Sequence, residues 1–184
     1  MSRTLLILAL LVALPGLAQE RRSKSHVSAN GMYSVRLVEE APGKCRVEMH
    51  KESGPVWQFE GCIGTVDDFY FASNDGERFW LLRPLAEKGK KSTVEKKGKK
   101  KVKVPAWANT PVAELYDRSG QKLQEKRLQD FLLGSRELGE VRQMHAHFKW
   151  LEGTLGIPGK GPRLTDDAKV EFESVGAKTH RLSF

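Results

Sequence analysis

The chain has 184 residues, 39% of them hydrophobic and four of them tryptophan, which excludes a wholly disordered polymer and allows one domain with its own core. Its formal charge of +8 is unevenly placed: residues 88–103 hold nine lysines and one acid, Glu95. Outside that run and the first eighteen residues, 21 basic residues face 22 acidic ones, so the excess belongs to one segment and the body is close to neutral.

Met1 to Ala18 read as an export signal. Arg3 supplies the positive start, an apolar run extends from Leu5 to Leu14, Pro15-Gly16 breaks it, and Gly16 and Ala18 are the small residues a signal peptidase inspects. The run is shorter than the ~20 residues a bilayer needs, no later stretch approaches that length, and no cysteine follows directly to carry a lipid. The expected address is the periplasm or the extracellular space after cleavage near Ala18. Residues 19–28 are expected to be a flexible leader, and 29–184 a single β-rich domain with a mobile Lys-rich insertion at 88–103.

The first strand is expected where Tyr33, Val35 and Leu37 alternate with Ser34, Arg36 and Val38, ending at Pro42-Gly43. Val47 and Met49 then alternate with Arg46, Glu48 and His50, and Trp57 and Phe59 with Gln58 and Glu60. Placing the apolar residues on one face pairs Met49 with Trp57 and Val47 with Phe59 around Glu52-Ser53-Gly54. That register sets Cys45 opposite Gly61, one residue short of Cys62. In an exported chain with two cysteines, a Cys45–Cys62 disulfide is the default, with Gly61 bending the strand end to allow it. A metal or redox pair is the weaker alternative, because the spacing is wide and there is no CxxC.

The next hairpin turns at Asn74-Asp75-Gly76 and pairs Phe71 with Trp80, Phe69 with Leu82, Ala72 with Phe79 and Tyr70 with Leu81. Both of its faces are apolar, so it should be covered on both sides and form the centre of the core. After the lysine run, order resumes near Val102–Trp107. A hairpin follows from Val112–Tyr116 to Lys122–Leu128, then a short helix or irregular stretch at 129–138 and a strand at 145–151. The last hairpin joins Val170–Glu173 to His180–Phe184 across Val175-Gly176-Ala177. About ten short strands punctuated by turns predict an antiparallel all-β domain.

Ser28-Ala29-Asn30-Gly31-Met32-Tyr33-Ser34-Val35 and Ala72-Ser73-Asn74-Asp75-Gly76-Glu77-Arg78-Phe79 resemble the Ser-x-Asp/Asn-Gly-x-aromatic turn of β-propeller blades, the second reading as that pattern with Asp75 inserted between Asn74 and Gly76. Leu115 to Gln121, followed by Leu128 to Leu132, is similar to a blade hairpin of exported bacterial propeller-like proteins. A propeller takes four or more four-stranded blades, and this chain supplies at most two or three. The resemblance therefore implies a partial-propeller-like or two-sheet sandwich domain and carries over no functional residue.

The lysines of the run, Lys90, Lys91, Lys96, Lys97, Lys99, Lys100 and Lys101, are the candidate anion-binding residues. Without interleaved aromatics or arginines they predict neither base stacking nor bidentate phosphate recognition, so specific nucleic-acid recognition is not expected. The plainer reading is a solvated loop between two strands. His145 and His147 share one strand face and form a candidate metal pair, with His180, Asp166 or Asp167 as a third ligand. Against this, Phe148 and Trp150 claim the other face for the core and turn the histidines to solvent. Gly153 to Gly161 is glycine-rich but lacks the order and the Ser or Thr of a phosphate loop.

No nucleophile elbow, HExxH or Ser-x-x-Lys set is present, and the acid pairs Glu39-Glu40, Asp67-Asp68 and Asp166-Asp167 alternate across a strand rather than converge. These features predict a non-enzymatic binding module of unknown function, without cofactor, whose basic segment contacts an anionic polymer or envelope component; the oligomeric state is left open. The alternative is a cell-envelope hydrolase whose carboxylates or histidines assemble only in three dimensions.

Overall fold

The computed structural model of the chain describes residues 20–87, 93–97, 100–104, 106–132, 141–143, 147–152 and 161–184. Residues 1–18, expected to be an export signal, lie outside these residues. The architecture is all-β, in curled sheets that form a half-barrel.

A nine-stranded sheet holds β1 (Arg21–Arg22), β2 (Ser25–Val27), β3 (Ser34–Ala41), β4 (Lys44–Lys51), β5 (Gly54–Glu60), β6 (Phe69–Ala72), β7 (Arg78–Leu82), β11 (Pro111–Asp117) and β12 (Lys122–Arg127). Its order is β12-β11-β7-β6-β2-β3-β4-β5, with β1 also on β3. Two antiparallel meanders, β2-β3-β4-β5 and β6-β7-β11-β12, are joined by the parallel pair β2–β6. Between β7 and β11 lie β8 (Leu85–Glu87), β9 (Thr93–Lys97) and β10 (Lys100–Val104), then a 3-10 turn at Ala106–Asn109. Where a short helix or irregular stretch was expected at 129–138, one helical turn, α1 (Leu128–Phe131), is present, and residues 133–140 lie outside the described set. β13 (Arg142–Gln143), β14 (His147–Lys149), β15 (Arg163–Leu164), β16 (Lys169–Ser174) and β17 (Lys178–Ser183) complete the chain.

The hairpins form in the expected registers. β4–β5 pairs Met49 with Trp57 and Val47 with Phe59, and β6–β7 pairs Phe69 with Leu82, Tyr70 with Leu81, Phe71 with Trp80 and Ala72 with Phe79. The β6–β7 hairpin is buried on both faces. Phe71, Trp80 and Leu82 enter one core with Leu115, Leu128, Trp150, Val170 and Phe172, while Tyr70, Ala72, Phe79 and Leu81 enter a second with Val35, Leu37, Val47 and Met49. Indole donors tie the layers down: Trp80 Nε1 donates to Ser183 O at 3.2 Å, Trp150 Nε1 to Arg83 O at 2.9 Å, and Trp57 Nε1 to Gly76 O at 2.7 Å.

Two expectations change. Residues 21–27 are not a flexible leader, because β1 and β2 complete the edge of β3 and Ser23 N bonds Leu37 O at 2.8 Å. Strand pairing with a distant partner, invisible in so polar a segment, supplies the order. The Lys-rich insertion is not without secondary structure either: β9 and β10 pair in antiparallel register. Their β-branched Thr93, Val94, Val102 and Val104 favour the extended backbone.

The doubly covered hairpin makes a direct prediction. Phe79→Ala should cost about 3–5 kcal/mol in urea unfolding, whereas Val56→Ala on the exposed edge strand β5 should stay within about 0.5 kcal/mol.

Candidate functional site

The two meanders repeat one local chemistry. In the first, the Ser28 hydroxyl donates to Asn30 Oδ1 at 2.7 Å, Met32 N donates to the same oxygen at 3.1 Å, and Tyr33 N donates to Ser28 Oγ at 2.9 Å. In the second, Ser73 Oγ donates to Asp75 Oδ1, Glu77 N donates to that oxygen at 3.0 Å, and Arg78 N donates to Ser73 Oγ at 3.1 Å. Asp75 therefore occupies the place of Asn30, and no residue is inserted there. Gly31 and Gly76 follow with φ of 76° and 71°, a left-handed conformation that glycine adopts without strain. Asn74 links the two turns: its Oδ1 accepts from Asn30 N and its carbonyl O accepts from Asn30 Nδ2, both at 2.9 Å. A turn one residue shorter, with Ala168 in place of the glycine, opens β16, where Thr165 Oγ1 donates to Asp167 Oδ1 at 2.5 Å and Lys169 N donates to Thr165 Oγ1 at 3.0 Å.

The correspondence extends along the strands. Ser25 and His26 lie beside Tyr70 and Phe71 across the parallel pair, so the repeats meet through equivalent residues. The His26 ring stacks on Phe71 with centroids 4.6 Å apart, and burial lowers its pKa. Glu48-Met49-His50-Lys51-Glu52-Ser53-Gly54 in the first unit matches Glu114-Leu115-Tyr116-Asp117-Arg118-Ser119-Gly120 in the second. Glu48 and Glu114, at equivalent places, are 6% and 4% exposed.

Each buried carboxylate is neutralised by cations from its own unit. Glu48 meets Arg46 Nε at 2.7 Å, His50 Nε2 at 2.8 Å and Arg36 Nε at 3.0 Å. Burial alone would raise its pKa, but hydrogen bonds from His50, Arg46 and Arg36 outweigh it and hold the carboxyl at about 2. Glu114 is paired with Arg83 and, at 3.0 Å, with Lys122; Arg83 also donates to Ile63 O at 2.8 Å. Nearby, burial pushes Asp68 upward against its bonds from Thr65. These arrangements satisfy charge within the sheet. They were missed in the sequence because a strand-alternating glutamate reads as a solvent residue. The Glu-x-x-x-x-Ser-Gly repetition is the signal that could have found them.

The acid pairs do not converge. Glu39 pairs with Arg21 at 3.0 Å, and Glu40 with Lys44 at 2.6 Å and with Arg46. Asp68 is held by Thr65, while Asp167 is held by Thr165 and Lys169. His147 lies on β14 opposite Glu87, His145 falls outside the described residues, and His180 shares a 2.9 Å hydrogen bond with Ser174 beside Phe131 and Phe172. Among the described residues no group of three His, Cys, Asp or Glu could hold a metal ion. The disulfide is present, with Cys45 and Cys62 Cα atoms 4.9 Å apart. Gly61 makes the bend at φ 150°, its N donating to Cys45 O at 2.8 Å.

The repeat isolates one asymmetry. β3 and β4 are joined through Pro42-Gly43, whereas the equivalent strands β7 and β11 are separated by residues 83–110, which contain all nine lysines of the basic run. The base of this insertion is closed, since Arg83 N donates to Val112 O at 2.8 Å and β8 pairs with β14. Beyond the base, β9 and β10 pair only with each other among the described strands. Lys96 and Lys97 lie on β9, and Lys100 and Lys101 lie opposite them on β10. Lys90, Lys91 and Lys99 fall outside the described residues, as do 153–160 of the glycine-rich stretch.

The Glu48 cluster ties stability to pH. Its carboxyl is depressed in the folded state, so the stabilisation is complete above the unfolded value near 4.5 and is lost as pH falls toward 2. Urea titrations should show a loss on the order of 2 kcal/mol over that window, and Glu48→Gln should flatten it. In comparison with protein-family models and with curated proteins, the chain matches none.

Proposed function

We propose that the chain is an exported, non-enzymatic binding module that contacts an anionic surface or partner through the Lys-rich ribbon β9–β10. The observation that carries this reading is the comparison the molecule makes with itself. The same strand-to-strand connection is made by Pro42-Gly43 in one repeat and by residues 83–110 in the other. The fold does not need the longer version, and the extra residues hold the whole positive excess of the chain.

Electrostatics supports the same reading. Lysines crowded on a short ribbon gain most by displacing counterions from a polyanion. The buried acids of the body do not serve as that anion, because Glu48, Glu114 and Glu171 are already paired with its arginines or lysines. The export segment at 1–18 and the Cys45–Cys62 disulfide both suit an oxidising compartment outside the cytosol.

Replacing residues 88–105 by a short glycine-serine linker tests the reading. The variant should unfold at the same urea concentration as the parent and should lose its salt-dependent retention on a heparin column. Unchanged retention would refute the assignment, and a variant that no longer folds would refute the claim that the insertion is dispensable.

A further inference from the structure

We infer that the ribbon takes an extended linear polyanion, a chain of phosphate or sulfate esters, and that its strand pairing is coupled to occupancy. This rests on the reading that the ribbon is the contact.

The register concentrates charge toward one end. Lys97 is opposite Lys100 and Lys96 is opposite Lys101, with Lys99 between the strands in sequence, whereas Glu95 opposes Val102 and Thr93 opposes Val104 nearer the base. Like charges directly across a strand pair are destabilising, and a two-stranded ribbon with no third strand is marginal in water. Here two such pairs are consecutive and no further strand joins them among the described residues. The pairing of β9 with β10 is therefore set by whatever neutralises these lysines. A ligand that binds the paired form better than the unpaired one shifts the equilibrium toward it by its differential affinity.

Composition fixes the ligand class. Between residues 88 and 103 there is no arginine and no aromatic residue, so neither bidentate headgroup recognition nor base stacking is available. Val94 and Val102 are the only apolar residues, too few to enter a hydrocarbon layer as an amphipathic anchor does. Five residue pairs make a ribbon about 17 Å long. That is a narrow strip whose consecutive lysine pairs fall on alternate faces of the ribbon, which a flexible chain of regularly spaced anions can follow and a single small anion or a plane cannot.

The experiment is amide hydrogen exchange of residues 93–97 and 100–104 in the whole protein at low salt. It compares no addition, inorganic polyphosphate, heparin, monomeric phosphate at equal charge, and vesicles containing anionic phosphatidylglycerol. Polyphosphate or heparin should slow exchange at least tenfold, and the more effective of the two identifies phosphate or sulfate as the anionic group; monomeric phosphate should leave it unchanged. With about five lysines engaged, affinity should fall roughly 130-fold between 50 and 200 mM salt. Lys96→Gln with Lys97→Gln, Lys100→Gln and Lys101→Gln should abolish polyanion binding and slow exchange without any ligand. Binding of polyphosphate or heparin with unchanged exchange would overturn the coupling and leave the contact reading intact. Absence of binding to both would overturn the contact reading as well. Vesicles slowing exchange as strongly as polyphosphate would overturn the linear-chain assignment.

Discussion

The β6–β7 hairpin is apolar on both faces, and the rest of the molecule is arranged around the need to cover both. One face sets Phe71, Trp80 and Leu82 against Trp150, Val170 and Phe172; the other sets Tyr70, Phe79 and Leu81 against Val35, Val47 and Met49. Each large apolar side chain so buried contributes roughly 1.5–3 kcal/mol. No single sheet supplies both covers. The first meander closes one side, bringing Trp57 and Phe59 over Phe79, and the C-terminal hairpin closes the other, fixed by Trp80 on the Ser183 carbonyl. Close approach at Gly120, where an added Cβ would come 2.9 Å from the Phe59 ring, belongs to the same closure.

Repetition explains how one chain provides these layers. The units share the Ser-x-Asx-Gly turn, the register of the following strand pair, and a buried glutamate neutralised by local cations. Removing the cations around such a glutamate would leave a buried charge unpaired, whereas the intact cluster is self-contained. Because the charges of the body are paired internally, the lysines of the insertion are the surplus on which the proposed contact rests. A repeated framework with one enlarged connection separates what folds the protein from the segment proposed to bind.

Much of this fold was legible in the sequence, and the failures share a cause. Strict alternation fixed the β4–β5 and β6–β7 registers and the double apolar face, since period-two patterns survive wherever one hairpin pairs with its neighbour. The parallel β2–β6 pair was not legible: Ser25-His26-Val27 has no periodic pattern, and its partners lie more than forty residues away. Asp75 read as an insertion because the motif was aligned on Asn74, whereas the hydrogen bonds of Ser73 align it on Asp75. The lysine run read as structureless because net charge outweighed the β-branched Thr93, Val94, Val102 and Val104. What sequence could not supply was the equivalence of residues 83–110 with Pro42-Gly43, which needs the paired strands on either side.

If the β6–β7 hairpin couples the two cores, they must be lost together. The most direct measurement is urea unfolding of the 5-fluorotryptophan-labelled protein by fluorine NMR, in which Trp57 reports the first core, Trp150 the second and Trp80 the hairpin between them. A single common midpoint for all three native resonances is the predicted result. A Trp57 resonance that disappears at a urea concentration distinct from that of Trp150 would contradict it.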